Sequence, residues 1–216
     1  MLHGATSDRR MRTLSQYFSV HPTHPQQRLL KQAAEIVARG GLVVYPTDTS
    51  YALGCQIGDK SALERVRQIR RLDKHHDLTL VCRDLSELGT YARVDNVAYR
   101  ILKRLTPGPY TFLLPATREV PRRLVHPKKK TIGLRVPDNP ITLGLLEALG
   151  EPMMTTTLRL PGDELPLVDP EEMRERLEHL VDVVIDGGIG GIESTTVVDL
   201  TVSGGEVVRQ GAGEDL

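Results

Sequence analysis

Apolar residues follow two rhythms along this chain, one helical and one extended. From Gln26 to Arg39, Leu29, Leu30, Ala33, Ala34, Ile36 and Val37 recur at helical spacing. Pro25 suits the first position of that helix, and Arg39-Gly40-Gly41 supplies a basic last turn and a glycine cap. An apolar run, Leu42 to Tyr45, then predicts a buried strand halted by Pro46. A second helix spans Ser61–Arg71, with Leu63, Val66 and Ile69 inward and Arg65, Arg67, Arg70 and Arg71 outward. A strand follows over Leu78–Cys82, then a helix capped by Asp95 and running to Leu105. Strands are predicted at Tyr110–Leu114 and Thr131–Val136, with a short segment around Val120–Val125 between them. Pro140–Leu149 reads as a helix and Met153–Thr157 as a strand. Asp169-Pro170-Glu171-Glu172 opens a helix to about Leu180, with a cap, a first-turn proline and first-turn acids. Short strands close the chain at Val183–Ile185, Thr196–Leu200 and Glu206–Arg209.

Strands and helices alternate without a long linker, which argues for one α/β domain over residues 13–216. Residues 1–12 are polar and patternless and are expected to form a flexible extension, with Met11 an alternative start. Composition changes this picture little: 39% hydrophobic and 26% charged residues suit a globular protein with a full core. No apolar run approaches the roughly 20 residues of a membrane span. The first residues, MLHGATSDRRMR, lack the apolar region of a signal peptide, and two cysteines, Cys55 and Cys82, make no disulfide framework. A cytoplasmic protein without a membrane partner is expected.

Charge is uneven although it sums to zero. Lys60–Arg135 holds 18 basic and 7 acidic residues, and Glu147–Asp199 holds 3 basic and 13 acidic. The basic third suggests an anionic partner, nucleotide phosphates or RNA. The alternative is two solvated faces that attract each other.

The chemistry-bearing stretch is Gly40–Cys55, GGLVVYPTDTSYALGC. Loops beyond strand ends are where open α/β sheets bind ligands, so Thr47-Asp48-Thr49-Ser50 is a candidate site. A solvated turn is the plainer alternative. The same shape, a strand end followed by hydroxyls or an arginine, recurs at Arg135-Val136-Pro137, Thr155-Thr156-Thr157, Thr195-Thr196 and Arg209-Gln210-Gly211. Converging strand ends would form a concave pocket for a polyanionic ligand, because arginine offers bidentate donors to carboxylate and phosphate. His75-His76 is a candidate general base or phosphate contact, or simply exposed. Cys55 reads as a buried inert thiol. There is no Walker loop, no GxGxxG after a strand and no zinc-ligand spacing, so no metal site is expected.

Tyr45-Pro46-Thr47-Asp48-Thr49-Ser50-Tyr51-Ala52-Leu53-Gly54-Cys55 resembles the signature of the YrdC family. So do Thr106–Thr111, Ile132–Pro137, Thr195–Asp199 and Arg209-Gln210-Gly211, in that order. The resemblance implies a YrdC/RibB-like twisted open mixed sheet flanked by helices, with a large positively charged concave surface. It implies threonylcarbamoyl-AMP synthase chemistry: L-threonine, bicarbonate and ATP give threonylcarbamoyl-AMP and pyrophosphate, and a separate transferase then modifies tRNA. Binding of double-stranded RNA or tRNA is implied as well. By this resemblance Thr49, Thr155 and Thr196 would contact threonine, and Arg135 would hold a carboxylate or phosphate. Lys74, Thr156 and Arg209 would lie at the nucleotide, with magnesium accompanying ATP but no carboxylate cage for it in the sequence. Arg135→Ala is then expected to weaken nucleotide binding with little change in stability.

The chain departs from the synthase pattern in several places. Where synthases carry Lys-x-Arg-Pro, this chain has Arg70-Arg71-Leu72-Asp73, with His76 in place of a later lysine. Where they carry Ser-x-Asn it has Thr156-Thr157-Leu158, and Ala52 replaces a glycine. The altered set, with Thr79–Leu85 and Pro121–Leu124, resembles the YciO branch. A lost guanidinium clamp commonly costs on the order of a hundredfold in rate. Arg70 and His76 are the candidates to compensate, as catalytic residues. The expectation is a pocket of the same kind, with synthesis weak or replaced by hydrolysis of threonylcarbamoyl-AMP. The competing class is a non-catalytic binder of structured RNA in translation or ribosome assembly.

Overall fold

The computed structural model describes residues 14–73 and 78–214. The expected extension over residues 1–12, and Lys74, His75 and His76, lie outside them. Ten strands form one mixed sheet: β1 (Gln16–Ser19), β2 (Val43–Tyr45), β3 (Ala52–Gln56), β4 (Thr79–Val81), β5 (Tyr110–Pro115), β6 (Thr131–Arg135), β7 (Met153–Thr157), β8 (Val183–Asp186), β9 (Thr196–Asp199) and β10 (Glu206–Arg209). Their spatial order is β1-β8-β2-β3-β7-β4-β6-β5-β9-β10. The helices among the described residues are α1 (Gln27–Ala38), α2 (Lys60–Arg70), α3 (Leu85–Tyr91), α4 (Asn96–Leu105), α5 (Pro140–Leu149) and α6 (Pro170–Leu177). None is long and apolar enough to cross a membrane.

Local chemistry sets the helix ends. Gly40, at φ 85°, lets α1 close in a Schellman motif, in which the Gly41 N–H donates to Ile36 O and the Gly40 N–H to Val37 O, each at 2.9 Å. Asp59, Asp84, Asp95, Asn139 and Asp169 cap the following helices with their side-chain oxygens. Pro25 falls before the N-cap Gln26 rather than in the first helical position. α6 stops at Leu177, about a turn earlier than its pattern predicts. The arginine face of α2 is not fully solvated: Arg65, Arg67 and Arg70 are partly buried, and Arg65 pairs with Asp182 at 2.8 Å.

The two faces of the sheet are covered unequally. On the back, Val44, Leu53, Leu80, Phe112, Leu134, Met154 and Val198 pack in one cluster with residues of α2, α3, α4 and α6. On the front, α1 and α5 bring Leu30, Ala33, Val37, Ile141 and Leu145 onto Val43, Tyr45, Val81, Met153 and Val183. That front layer ends near β7 and β4. Beyond it, threonine, glycine and arginine enter the front-facing positions: Thr79 lies opposite Gly133 and Thr155, and Arg135 opposite Val81.

Candidate functional site

The uncovered half of the front face is the floor of a cavity of about 590 Å³. That volume suits a small-molecule ligand. Ser50, Ala52, Thr155 and Thr157 form one side, Thr79, Gly133 and Arg135 the floor, and Thr111, Leu113, Thr195, Val197, Val208 and Arg209 the other side. Threonine is the natural residue for such a wall. It shares the β-branched shape that strands favour and adds a hydroxyl that donates and accepts.

Arg135 ends β6 and is 8% exposed. Its guanidinium pairs with the Asp48 carboxylate through Nη2, which also lies 3.5 Å from Thr49 Oγ1. Asp48 accepts the Asp138 N–H at 3.0 Å as well, tying the β2–β3 loop to the approach to α5. Arg135 Nε is buried and finds no hydrogen-bond partner among the described residues. Such an unmet donor costs about 1–3 kcal/mol, held by the ion pair around it.

The hydroxyls are set by neighbours behind them. Burial pushes the Tyr45 phenol up to about 12, so it stays protonated and donates to Thr155 Oγ1 at 2.8 Å. Thr155 therefore keeps its own hydroxyl hydrogen as a donor. Thr111 and Thr195 join hydroxyls at 2.8 Å. Arg209 donates to Thr195 O at 2.9 Å and Oγ1 at 3.3 Å. Burial lowers the Arg209 pKa from its ordinary value.

Of the residues singled out from sequence, Arg135, Thr155, Thr156 and Arg209 line this cavity. Thr49 and Thr196 do not. Thr49 stands behind the wall, 3.2 Å from Thr47 Oγ1, and Ser50 takes the lining position. Thr196 is fully buried: its hydroxyl donates to Gly213 O at 2.9 Å and accepts the N–H groups of Gly211 at 3.0 Å and Gly213 at 2.9 Å. Strand alternation turns Thr195, not Thr196, to the cavity. Arg70 also lies outside the lining. Burial, with Arg159 nearby, pushes its pKa down to about 10, so it remains a cation at neutral pH. Lys74 and His76 fall outside the described residues. Burial pushes the Cys55 thiol up to about 12, well away from thiolate chemistry.

Thr79, Leu113 and Val208 line the cavity without having been singled out as site residues, whereas Ser50, Thr157 and Thr195 belong to strand-end stretches already marked in the sequence. Asp73 is the carboxylate among the described lining residues. No group of three or more His, Cys, Asp and Glu among the described residues could hold a metal ion.

The profile of a family described as "Telomere recombination", Sua5_yciO_yrdC, matches residues 35–211. The chain belongs to this Sua5/YciO/YrdC family. It stands with the YciO-type branch: the YciO protein of Escherichia coli strain K12 is 59% identical over 201 residues, 93% of this chain and 98% of that one. The crystal structure of E. coli YciO superposes with a TM-score of 0.89 over 93% of this chain and 98% of that one. More distant is the threonylcarbamoyl-AMP synthase of Vibrio vulnificus strain YJ016, 29% identical over 164 residues, 74% of this chain and 87% of that one. P. abyssi Sua5, solved in complex with L-threonine, is 26% identical with a TM-score of 0.82. That match covers 90% of this chain and 57% of Sua5. The mixed sheet flanked by helices is thus a fold shared with these structures.

Proposed function

We propose that this chain binds L-threonine and ATP in the cavity on the open face of its sheet and carries out threonylcarbamoyl-AMP chemistry. The observation that carries the reading is two arginines, Arg135 on the floor and Arg209 on one side, in a single hydroxyl-lined cavity. Arg135 offers donors to a carboxylate or phosphate, and Arg209, braced by Thr195, offers a second cationic contact. Ser50, Thr155 and Thr157 supply hydroxyls suited to an amino acid. The relation to threonylcarbamoyl-AMP synthases supports the choice of ligands. Magnesium enters with the triphosphate.

In the forward reaction threonine, bicarbonate and ATP give threonylcarbamoyl-AMP and pyrophosphate. Leu72 and Leu158 stand where synthases carry an arginine and an asparagine. With those polar contacts gone, synthesis is slow, and the hydrolytic reaction that consumes threonylcarbamoyl-AMP competes with it. The test supplies pure protein with ATP, magnesium, L-threonine and bicarbonate and follows pyrophosphate. A parallel reaction supplies threonylcarbamoyl-AMP and follows its loss. Turnover in either supports the enzyme; none in either removes it.

A second reading has its own observation. Arg122, Arg123, Lys128, Lys129 and Lys130 are all exposed within the β5–β6 connection. Such a cluster suits the phosphates of double-stranded RNA or tRNA. The check is RNA affinity against salt: each phosphate neutralised on a duplex adds about 0.9 to the log–log slope.

A further inference from the structure

α2 ends in a turn that its sequence does not announce. Arg71 takes the left-handed conformation, at φ 49°, in a place more often held by glycine. The Leu72 N–H donates to Arg67 O at 3.0 Å and the Arg71 N–H to Gln68 O at 3.3 Å, the two bonds of a Schellman motif. Leu72 then packs against the apolar cluster behind the sheet. With that side chain anchored, the next residue, Asp73, lines the cavity. Asp73 is exposed, so water has access to it.

A carboxylate is out of place in a site for anions. Arg135 and Arg209 line the same cavity, and Asp73 brings the one negative side chain among the described lining residues. It repels a carboxylate or a phosphate and so weakens their binding. What it adds is a proton acceptor, because the hydroxyls and guanidinium groups of the other polar lining residues are poor bases at neutral pH. It stands where the synthase motif ends in proline, whose side chain accepts no proton. We infer that Asp73 is the catalytic base of the hydrolytic reaction, taking a proton from the water that attacks threonylcarbamoyl-AMP. The water oxygen bonds to the carbamoyl carbon, and the bond from that carbon to the phosphate oxygen breaks. The bonding pair leaves with AMP, and the water proton passes to Asp73 and on to solvent. The other product, N-carboxythreonine, takes up a proton and loses carbon dioxide to leave L-threonine. This rests on the reading above that places threonylcarbamoyl-AMP in the cavity, and it names the residue that favours hydrolysis there.

The test supplies the full-length protein with threonylcarbamoyl-AMP and follows AMP release. Asp73→Asn keeps the size of the side chain and removes its basicity. It is expected to slow hydrolysis about a hundredfold or more, with calorimetric affinity for AMP and L-threonine kept within about twofold. The wild-type rate should fall as pH drops through the range in which carboxylates titrate, and that limb should be absent from the variant's residual rate. Hydrolysis by Asp73→Asn within about threefold of wild type would overturn the inference. So would a slowed variant that has also lost ligand affinity, which would make Asp73 a structural residue or an ammonium contact. Recovery of the variant by excess magnesium would show that Asp73 holds the ion instead, and would overturn it as well. A wild-type protein that synthesises threonylcarbamoyl-AMP without hydrolysing it overturns this inference alone. One that turns over neither set of substrates overturns the reading of the cavity, and this inference with it.

Discussion

Removing Arg135 does more than empty a ligand contact, because Asp48 stays behind. The two side chains are only 10% and 9% exposed. A buried carboxylate stripped of its partner is strongly destabilising. The sequence expectation that Arg135→Ala leaves stability nearly unchanged is therefore replaced. The single change should cost about 3 kcal/mol in urea unfolding. Adding Asp48→Asn should recover at least about 1 kcal/mol, because the unpaired charge goes with it. Strictly additive costs would show that the pair does not couple. Tyr45 makes a second residue-level case. Burial holds its folded pKa at about 12, above the ordinary 10. The unfolded chain loses the phenolic proton first, so this group's contribution is complete below pH 10 and is lost as pH rises toward 12. Tyr45→Phe should lose about 1 kcal/mol at neutral pH with the Thr155 bond, and should flatten the alkaline decline. Tyr51, also raised to about 12, keeps part of that decline in the variant. Identical slopes in wild type and variant would contradict the assignment.

Elements differ in how much of them is written locally. α1, α2, α4 and α5 were legible because each pairs a 3.6-residue apolar rhythm with a capping residue or a first-turn proline. β1, β3 and α3 were not. β1 is four residues long and pairs with β8, about 167 positions away. β3 reads ALGCQ, with little intrinsic strand preference, and gains its order from β2 and β7 on either side. α3 is seven residues with Gly89 inside it, too short to show a period. β10 was legible as a strand over Glu206–Arg209, but its bulge was not. The floor of the cavity is a matter of one strand. A Cβ at Gly133 would sit 3.1 Å from Thr79 Oγ1 and 3.5 Å from Thr111 Cγ2, so a side chain there rises into the cavity with only a small shift of Thr79. Gly133→Val should therefore lower ATP and L-threonine affinity about tenfold or more. The melting temperature should hold, because valine suits a strand better than glycine. A fall in melting temperature matching the loss of affinity would point to a damaged strand instead of a filled site.

Across the whole molecule, the site exists because one sheet face is only half covered. α1 and α5 shield the β8–β2 end with an aliphatic layer, and no described helix continues over β6, β5 and β9. The lining positions run from Ser50 to Arg209 and come from seven strands and three connections. Each motif was visible on its own, since Thr155-Thr156-Thr157 or Arg209 needs no partner to be noticed. Their convergence was not visible, because it depends on a strand order that local sequence does not encode. Alternation along the strand, not strand order, gives Thr195 and Thr196, adjacent in sequence, opposite fates. The most direct test of the central claim is a crystal structure of this protein with L-threonine and a non-hydrolysable ATP analogue. The account predicts both ligands over Gly133, with an anionic group at Arg135 and the nucleotide phosphates at Arg209. Ligands bound elsewhere, with the open sheet face empty, would contradict it.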